Sequence, residues 1–222
     1  MPVRRRCYVA AMNTDEVRRA YDTVASEYHV RFADELARKP FDRAWLDRFA
    51  IEVAADGRVV EVGCGDGHVA AYLEKRGLRV QGLDLSPEMT RVASRAYPQL
   101  SFCVGDVRSL PFDAGCLHAI VAFYSIVNLD AHDCAVAFRE FRRVLRAGSR
   151  VMLAFHLGDE RLRVENWWDT SASLDFHLHP LERVCGQLRE AGFEIARSEE
   201  RGPYATDVEA QTRRGYVDAR PL

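Results

Sequence analysis

Val59-Val60-Glu61-Val62-Gly63-Cys64-Gly65-Asp66-Gly67-His68-Val69-Ala70 is the stretch whose reading decides the fold. Its opening is an apolar run of strand length, and three alternate glycines turn it into a segment with helical apolar spacing. Glycine tolerates φ > 0 and lets a ligand lie against bare backbone. A helix placed directly after such a turn points its free N–H groups and its positive dipole end back at that ligand. Strand, glycine turn and helix in this order predict a nucleotide-type site. A nicotinamide-binding loop reads G-x-G-x-x-G, and its third glycine falls here on the large side chain of His68. The spacing present is G-x-G-x-G.

Outward from this loop, strands and helices alternate. Strand 59–62 leads to a helix over 67–76, and strand 78–85 leads to a helix with Ser86 as cap and Pro87 at its first position. Strands follow over 100–104 and 117–124, then a helix over 131–146 that stops at Gly148, then a strand over 150–155. Such alternation predicts a parallel sheet with helices on both faces. Upstream, a helix opening near Asn13 carries Val17, Tyr21, Val24, Ala25 and Tyr28 on one face, and a second after Pro40 carries Phe41, Trp45 and Phe49. Both precede the first strand, so residues 1–56 read as a helical cover, ending at the Asp56-Gly57 turn, on a domain over 57–222. Beyond His156 the rhythm breaks. Residues 158–172 read as irregular and 173–178 as a short strand; a helix over 180–191 and strands beginning near 192 and 214 complete the chain.

Composition sets outer bounds. The chain has 222 residues, 48% hydrophobic and 29% charged, values typical of one compact soluble unit. A net charge of −2 predicts no general attraction to nucleic acid or to anionic membranes. No apolar run approaches the roughly 20 residues that span a bilayer, and no membrane association is expected. Arg4-Arg5-Arg6 has no apolar core behind it, so a secretory signal is not expected either. The six cysteines are scattered singly, which predicts no disulfide framework, no metal site and a cytoplasmic setting. A homodimer is compatible with this composition.

The glycine stretch resembles motif I of the class I S-adenosylmethionine-dependent methyltransferases. Three further segments carry the same resemblance in the same order: Val80-Gln81-Gly82-Leu83-Asp84-Leu85-Ser86, Phe102-Cys103-Val104-Gly105-Asp106-Val107, and Leu110-Pro111-Phe112-Asp113. The last resembles the small-molecule branch that includes ubiquinone and menaquinone methyltransferases. Tyr21-Asp22-x-x-Ala25-x-x-Tyr28 is similar to a segment of that branch whose helix closes over methionine. The resemblance implies an α/β, Rossmann-like sheet of seven strands, mostly parallel, with an antiparallel C-terminal hairpin. It also implies S-adenosyl-L-methionine as cofactor, S-adenosyl-L-homocysteine as product, and a small-molecule acceptor methylated at O, N or C.

Residue by residue, Gly63, Gly65 and Gly67 form the loop, and Asp84, about twenty residues on, takes the ribose hydroxyls. Leu85 and Met89 flank the adenine, with packing in the core as the alternative for either. Asp106 receives the adenine amino group and the Val107 N–H a ring nitrogen. Glu61 needs donors because a carboxylate in a buried strand is costly when unpaired, and the cofactor ammonium is one such donor. Tyr28, and with it Tyr21, is implied at the methionine end, with core packing an equal alternative for Tyr28 and the stronger one for Tyr21. Phe123 ends the fourth strand beside the cofactor, and Tyr124, Asn128, Trp167 and Trp168 are the expected acceptor pocket, with a small core under the loop or a dimer contact an equal alternative for the two tryptophans. The segment 123–128 lacks the D/N-P-P-Y/F pattern of nucleobase methyltransferases. If the acceptor must lose a proton, His156 at the end of the fifth strand is the first candidate base, followed by His132 and His177. His68 reads as a solvated or packing residue. The competing readings are an NAD-dependent oxidoreductase, which His68 opposes, and a non-catalytic protein that binds S-adenosylmethionine.

Overall fold

A computed structural model describes residues 14–53 and 57–222. Arg4 to Arg6, Cys7, Asn13 and Asp56 lie outside the described residues. In chain order the strands are β1 (Arg58–Val62), β2 (Arg79–Asp84), β3 (Ser101–Val104), β4 (Leu117–Phe123), β5 (Leu145–His156), β6 (Arg161–Val164), β7 (Leu174–His177), β8 (Phe193–Arg201) and β9 (Arg214–Pro221). The helices are α1 (Thr14–Phe32), α2 (Pro40–Glu52), α3 (His68–Glu74), α4 (Pro87–Ala96), α5 (Ala131–Val144) and α6 (Leu181–Glu190).

Seven strands form one sheet in the order β3-β2-β1-β4-β5-β9-β8. The first five are mutually parallel, and β9 and β8 add antiparallel at one edge. This is the expected Rossmann-like sheet with its C-terminal hairpin. β1 carries valines on both faces because both are covered, with Glu61 as a charged residue inside it. Val60 and Val62 pack with Phe138, Phe141 and Leu188 of α5 and α6. Val59 faces the other way, toward Trp45, Leu46 and Phe49 of α2 and Val69 and Leu73 of α3. The helices start where capping chemistry allows. Ser86 Oγ accepts from Met89 N at 3.0 Å with Pro87 next in line, and Asp130 accepts from Asp133 N at 2.8 Å.

From β1 the chain builds outward to β2 and β3, then returns to lay β4 on β1's other side. That reversal opens a crevice at the carboxyl ends of β1 and β4, where open α/β sheets bind ligands. The two N-terminal helices play different parts. α2 belongs to the sheet's own core. α1 lies over the strand ends, where Ala20, Val24 and Ala25 pack on Met89, Ala172 and Leu174.

One strand departs from the expectation. Residues 161–164, inside the stretch read as irregular, pair antiparallel with β7 as a separate two-stranded hairpin. β6 is largely exposed, so no buried face imprinted an apolar alternation on its sequence.

Candidate functional site

The glycine turn is built as its spacing demands. Gly63, Gly65 and Gly67 all take φ between 52° and 82°. At Gly63 a Cβ would stand 2.4 Å from Ser125 Cβ, and at Gly67 2.7 Å from the Phe102 ring. The first keeps β1's end open toward β4, and the second seats α3 against the sheet. Above this turn lies a cleft of about 700 Å³. Tyr21, Tyr28, Gly63, Gly65, Asp84, Leu85, Asp106, Val107 and Phe123 all line it, together with Tyr124 and Asn128. Met89 does not: it is fully buried between α1 and α4, so packing in the core is its role. Gly67 and Glu61 sit behind the cleft wall rather than on it.

Asp84 accepts from Gly65 N at 2.8 Å and from Ser86 N at 2.9 Å. Burial outweighs these bonds and pushes its carboxyl up to about 6. Each oxygen keeps a second lone pair for a further donor. Burial likewise raises Glu61 to about 8, and its Oε2 is buried without a partner. Ser125 Oγ, beside Gly63, is also buried and unpartnered. An orphaned carboxylate oxygen and an orphaned hydroxyl close behind the loop fit a ligand that brings an ammonium and a carboxylate. Asp106 is already held by its neighbour: Arg108 Nη2 donates to it at 2.7 Å, and Arg108 also reaches Asp133 at 3.1 Å. Burial alone would raise the Asp106 carboxyl, but Arg108 outweighs that and holds it below the ordinary value. Tyr21 OH donates to Asn128 Oδ1 at 2.8 Å, and Asn128 Nδ2 donates to the Asp175 carbonyl at 2.9 Å. Asn128 therefore orients Tyr21 and ties α1 to β7.

Tyr21, Tyr28 and Tyr124 also line a second, larger cavity of about 1190 Å³. One end is aromatic. Trp167 meets Tyr21 edge-on at 5.5 Å and Phe176 at 5.5 Å, and Trp168 lies 5.8 Å from Phe32 and 6.2 Å from Tyr28. Trp168 holds φ 52°, a left-handed conformation uncommon for such a residue, on the segment that presents both rings. Both tryptophans line the cavity, and both also pack against the cluster of Ala20, Val24, Met89 and Leu174. Tyr124 forms the partition between the two spaces. Its backbone also takes a left-handed φ of 56°, and its hydroxyl donates to Asp42 Oδ1 at 2.9 Å and meets Tyr216 OH at 2.9 Å. Strain held at the junction of two cavities by surrounding bonds marks a site that the fold over-determines.

The cavity's other end is charged, and the sequence reading did not foresee it. Lys39 Nζ lies 2.6 Å from Glu35 and 3.8 Å from Glu209. Arg201 binds Glu209 and Asp42, and Arg214 lies 3.4 Å from Glu209. The chain of charges continues through His68, which bridges Glu35 at 3.1 Å and Asp66 at 2.6 Å, to His29, 2.8 Å from Asp66. His68 is therefore neither solvated nor passive. Burial works against its charge, yet the Asp66 and Glu35 bonds prevail and raise it to about 10. Only Glu35 and Lys39, one helical turn apart, carried any sequence signal of a pair.

His156 lines this cavity, with Nδ1 2.7 Å from Thr212 Oγ1. Burial first, then the charges of Arg214 and Lys39, lower it to about 3. It stays neutral at physiological pH, but a ring so reluctant to hold a proton is a weak general base. His132 and His177 are not brought to the site. His132 is exposed at the start of α5, and His177 lies on β7 outside both cavities. His179 is a core residue, with Nε2 3.2 Å from the Ile126 carbonyl.

Residues 59–148 match the family model of a methyltransferase domain. Among curated proteins, a demethylmenaquinone methyltransferase of Chlorobaculum tepidum is 31% identical over 147 residues, covering 63% of this chain and 59% of that protein. The chain thus spans less than two thirds of that relative's length. Among solved structures, a SAM-dependent methyltransferase from Methanosarcina mazei superposes with a TM-score of 0.69 at 18% identity, over 77% of this chain and 94% of that one. The [4+2]-cyclase SpnF superposes with a TM-score of 0.73 at 20% identity, over 96% and 98%. At these identities the likeness is one of fold.

Proposed function

We propose, from a chain whose residues 59–148 match the model of a methyltransferase domain, that it transfers a methyl group from S-adenosylmethionine to a small-molecule acceptor at O, N or C. The observation that carries this reading is the pairing of two cavities across Tyr21, Tyr28 and Tyr124: a narrow one over the glycine turn and a wide, aromatic one beside it. When bound, the cofactor supplies a methyl on a sulfonium, an electrophile that needs no further activation. The chain's own part is to hold and orient. Asp84 takes the ribose hydroxyls on its free lone pairs. Glu61 and Ser125 receive the methionine end, where each has an unpartnered buried oxygen. Leu85 and Val107 enclose the adenine, and Asp106, held by the Arg108 backbone N–H, Nε and Nη2, stands beside its amino group. Tyr21 and Tyr28, carried on α1, close the cleft from above.

The acceptor lies in the larger cavity, its body against Trp167, Trp168 and Phe176. Acceptors as apolar as those named for the relatives, such as demethylmenaquinone, fit that wall. The five described cysteines are free, which supports a reducing cytoplasm as its setting. Calorimetry is the test. S-adenosylhomocysteine should bind at one site and NAD should not compete. Binding of NAD alone would favour the oxidoreductase. Binding of S-adenosylhomocysteine without turnover on any acceptor of a broad aromatic panel would favour a non-catalytic binding protein.

A further inference from the structure

The polar end of the acceptor cavity is arranged to give hydrogen bonds rather than to take them. Its two carboxylates are already engaged inside the protein. Glu35 accepts from Lys39 at 2.6 Å and pairs with His68 at 3.1 Å. Glu209 accepts from Arg201 at 3.0 Å and from the Tyr204 N–H at 2.8 Å. His156 stands half-buried at the same end, on the last residue of β5. Arg214 Nη1 donates both to Thr212 Oγ1 and to the Thr212 carbonyl, and the same Oγ1 lies 2.7 Å from His156 Nδ1. With one lone pair taken by the guanidinium, the hydroxyl is free to turn its own hydrogen to Nδ1. In that arrangement Nδ1 accepts and the ring proton sits on Nε2, from which no described residue takes a hydrogen bond. Lys39 Nζ and the Arg214 guanidinium each stand 5.6 Å from the Tyr124 ring centre. They supply positive charge at this end.

On the reading of this cavity as the acceptor site, we infer that it selects an acceptor carrying an oxyanion on a flat apolar body. His156 Nε2–H is the donor to that oxyanion, and Arg214 and Lys39 lie behind it. His156 is then a specificity-determining residue and not the proton acceptor. Burial is the first cause of the imidazole's reluctance to hold a proton; Arg214 and Lys39 add to it against Glu209 and Glu35, and those two cations favour a negative oxygen beside Nε2. An acceptor already ionised needs no base, which accords with a cavity whose one histidine resists protonation.

The test uses the full chain and two probes of equal shape, the naphthoate anion and neutral naphthamide. Calorimetry should give naphthoate an affinity about tenfold higher, equivalent to roughly 1.4 kcal/mol. Equal affinities overturn the proposal. A dinitronaphthol, ionised at neutral pH, forms a second arm: whichever of it and naphthoate binds more tightly identifies phenolate or carboxylate as the favoured head group. His156→Gln keeps a side-chain N–H and should keep the preference, whereas His156→Leu should lose most of it. Nitrogen NMR of the unmutated chain gives a reading independent of any variant. A ring protonated at Nε2 between about pH 5 and 8 supports the assignment, and the opposite tautomer or a charged ring overturns it. S-adenosylhomocysteine titrated in parallel separates the two ideas. Its binding without anion preference sinks this inference alone, and anion preference without its binding sinks methyl transfer alone.

Discussion

Asp84 shows most directly how a single side chain couples to ligand and proton together. Its carboxyl is raised to about 6 by burial, while ribose hydroxyls donate best to the ionised form. Affinity for S-adenosylhomocysteine should therefore be full above about pH 6 and fall as pH drops through that value. Binding near pH 6 should release a proton, measured as a heat that depends on the buffer's ionisation enthalpy. Asp84→Ala removes two charge-assisted bonds of roughly 1.5–3 kcal/mol each, so affinity should fall by at least about a hundredfold. Unchanged affinity would place the ribose elsewhere. Gly63 makes a complementary case in the backbone. A side chain there meets both a φ of 64° and a Cβ contact of 2.4 Å with Ser125. Gly63→Ala should lower unfolding stability by at least about 1–2 kcal/mol and abolish detectable cofactor binding, both read from one denaturant series with and without ligand.

At the scale of elements, the two N-terminal helices separate into different classes. α2 contributes Trp45, Leu46 and Phe49 to the cluster that also holds Val59 and Leu73, so it is as permanent as the sheet. α1 packs chiefly on α4 and reaches the strand ends by polar bonds: Tyr21 to Asn128, Ser86 Oγ to Asp22 at 2.6 Å, and His29 to Asp66. Bonds of that kind open more readily than a packed core. Hydrogen exchange should show α1 amides gaining protection when S-adenosylhomocysteine binds, with α2 amides unchanged. Equal gains in both helices, or none in α1, would make residues 14–52 one fixed layer. The sequence pattern could not make this distinction, because both helices show an apolar face and only packing partners tell a lid from a wall.

For the whole molecule, the buried charges set how stability responds to pH. Burial disfavours an ionised Glu35, but its His68 bond, the His68 charge and Lys39 outweigh burial and hold it down to about 2. His68 is raised to about 10. The pair stabilises fully between the ordinary glutamate and histidine values, about 4.3 and 6.5. That contribution is lost as pH rises through about 10 or falls through about 2. His68→Ala takes one partner from each of two buried carboxylates, leaving Glu35 to Lys39 and Asp66 to His29, and should cost about 3 kcal/mol near pH 6. The deficit should shrink toward pH 10, measured as a difference in unfolding free energy. Glu61 works in the opposite sense. With a folded value near 8, the native state loses stability relative to the unfolded chain as pH rises from about 4 to 8. Glu61→Gln should therefore stabilise the ligand-free chain by an amount that grows over that interval and then levels off. A constant difference would mean that Glu61 has the same proton affinity in both states.

Resemblance to known methyltransferases pointed to Asp84, Asp106 and the two N-terminal tyrosines, which line one cleft, while the residues themselves determined the parallel sheet, its glycine turn and the capped start of α4. Those features rest on local physics: apolar period, glycine freedom and capping chemistry all act within a few residues. Tertiary structure alone decided the rest. Glu35 and Lys39, Asp66 and His68, and Glu209 and Arg214 come from three separate stretches of the chain and form one buried charge chain, of which only the four-residue spacing of Glu35 and Lys39 is a local pattern. Tertiary packing likewise set Met89 in the core and His132 on the surface. His156 shows the reason most clearly. Its position at the end of β5 was legible, but its chemistry was not. A histidine's affinity for a proton depends on burial and on charges near it in space, and Arg214 and Lys39 lie far from it along the chain.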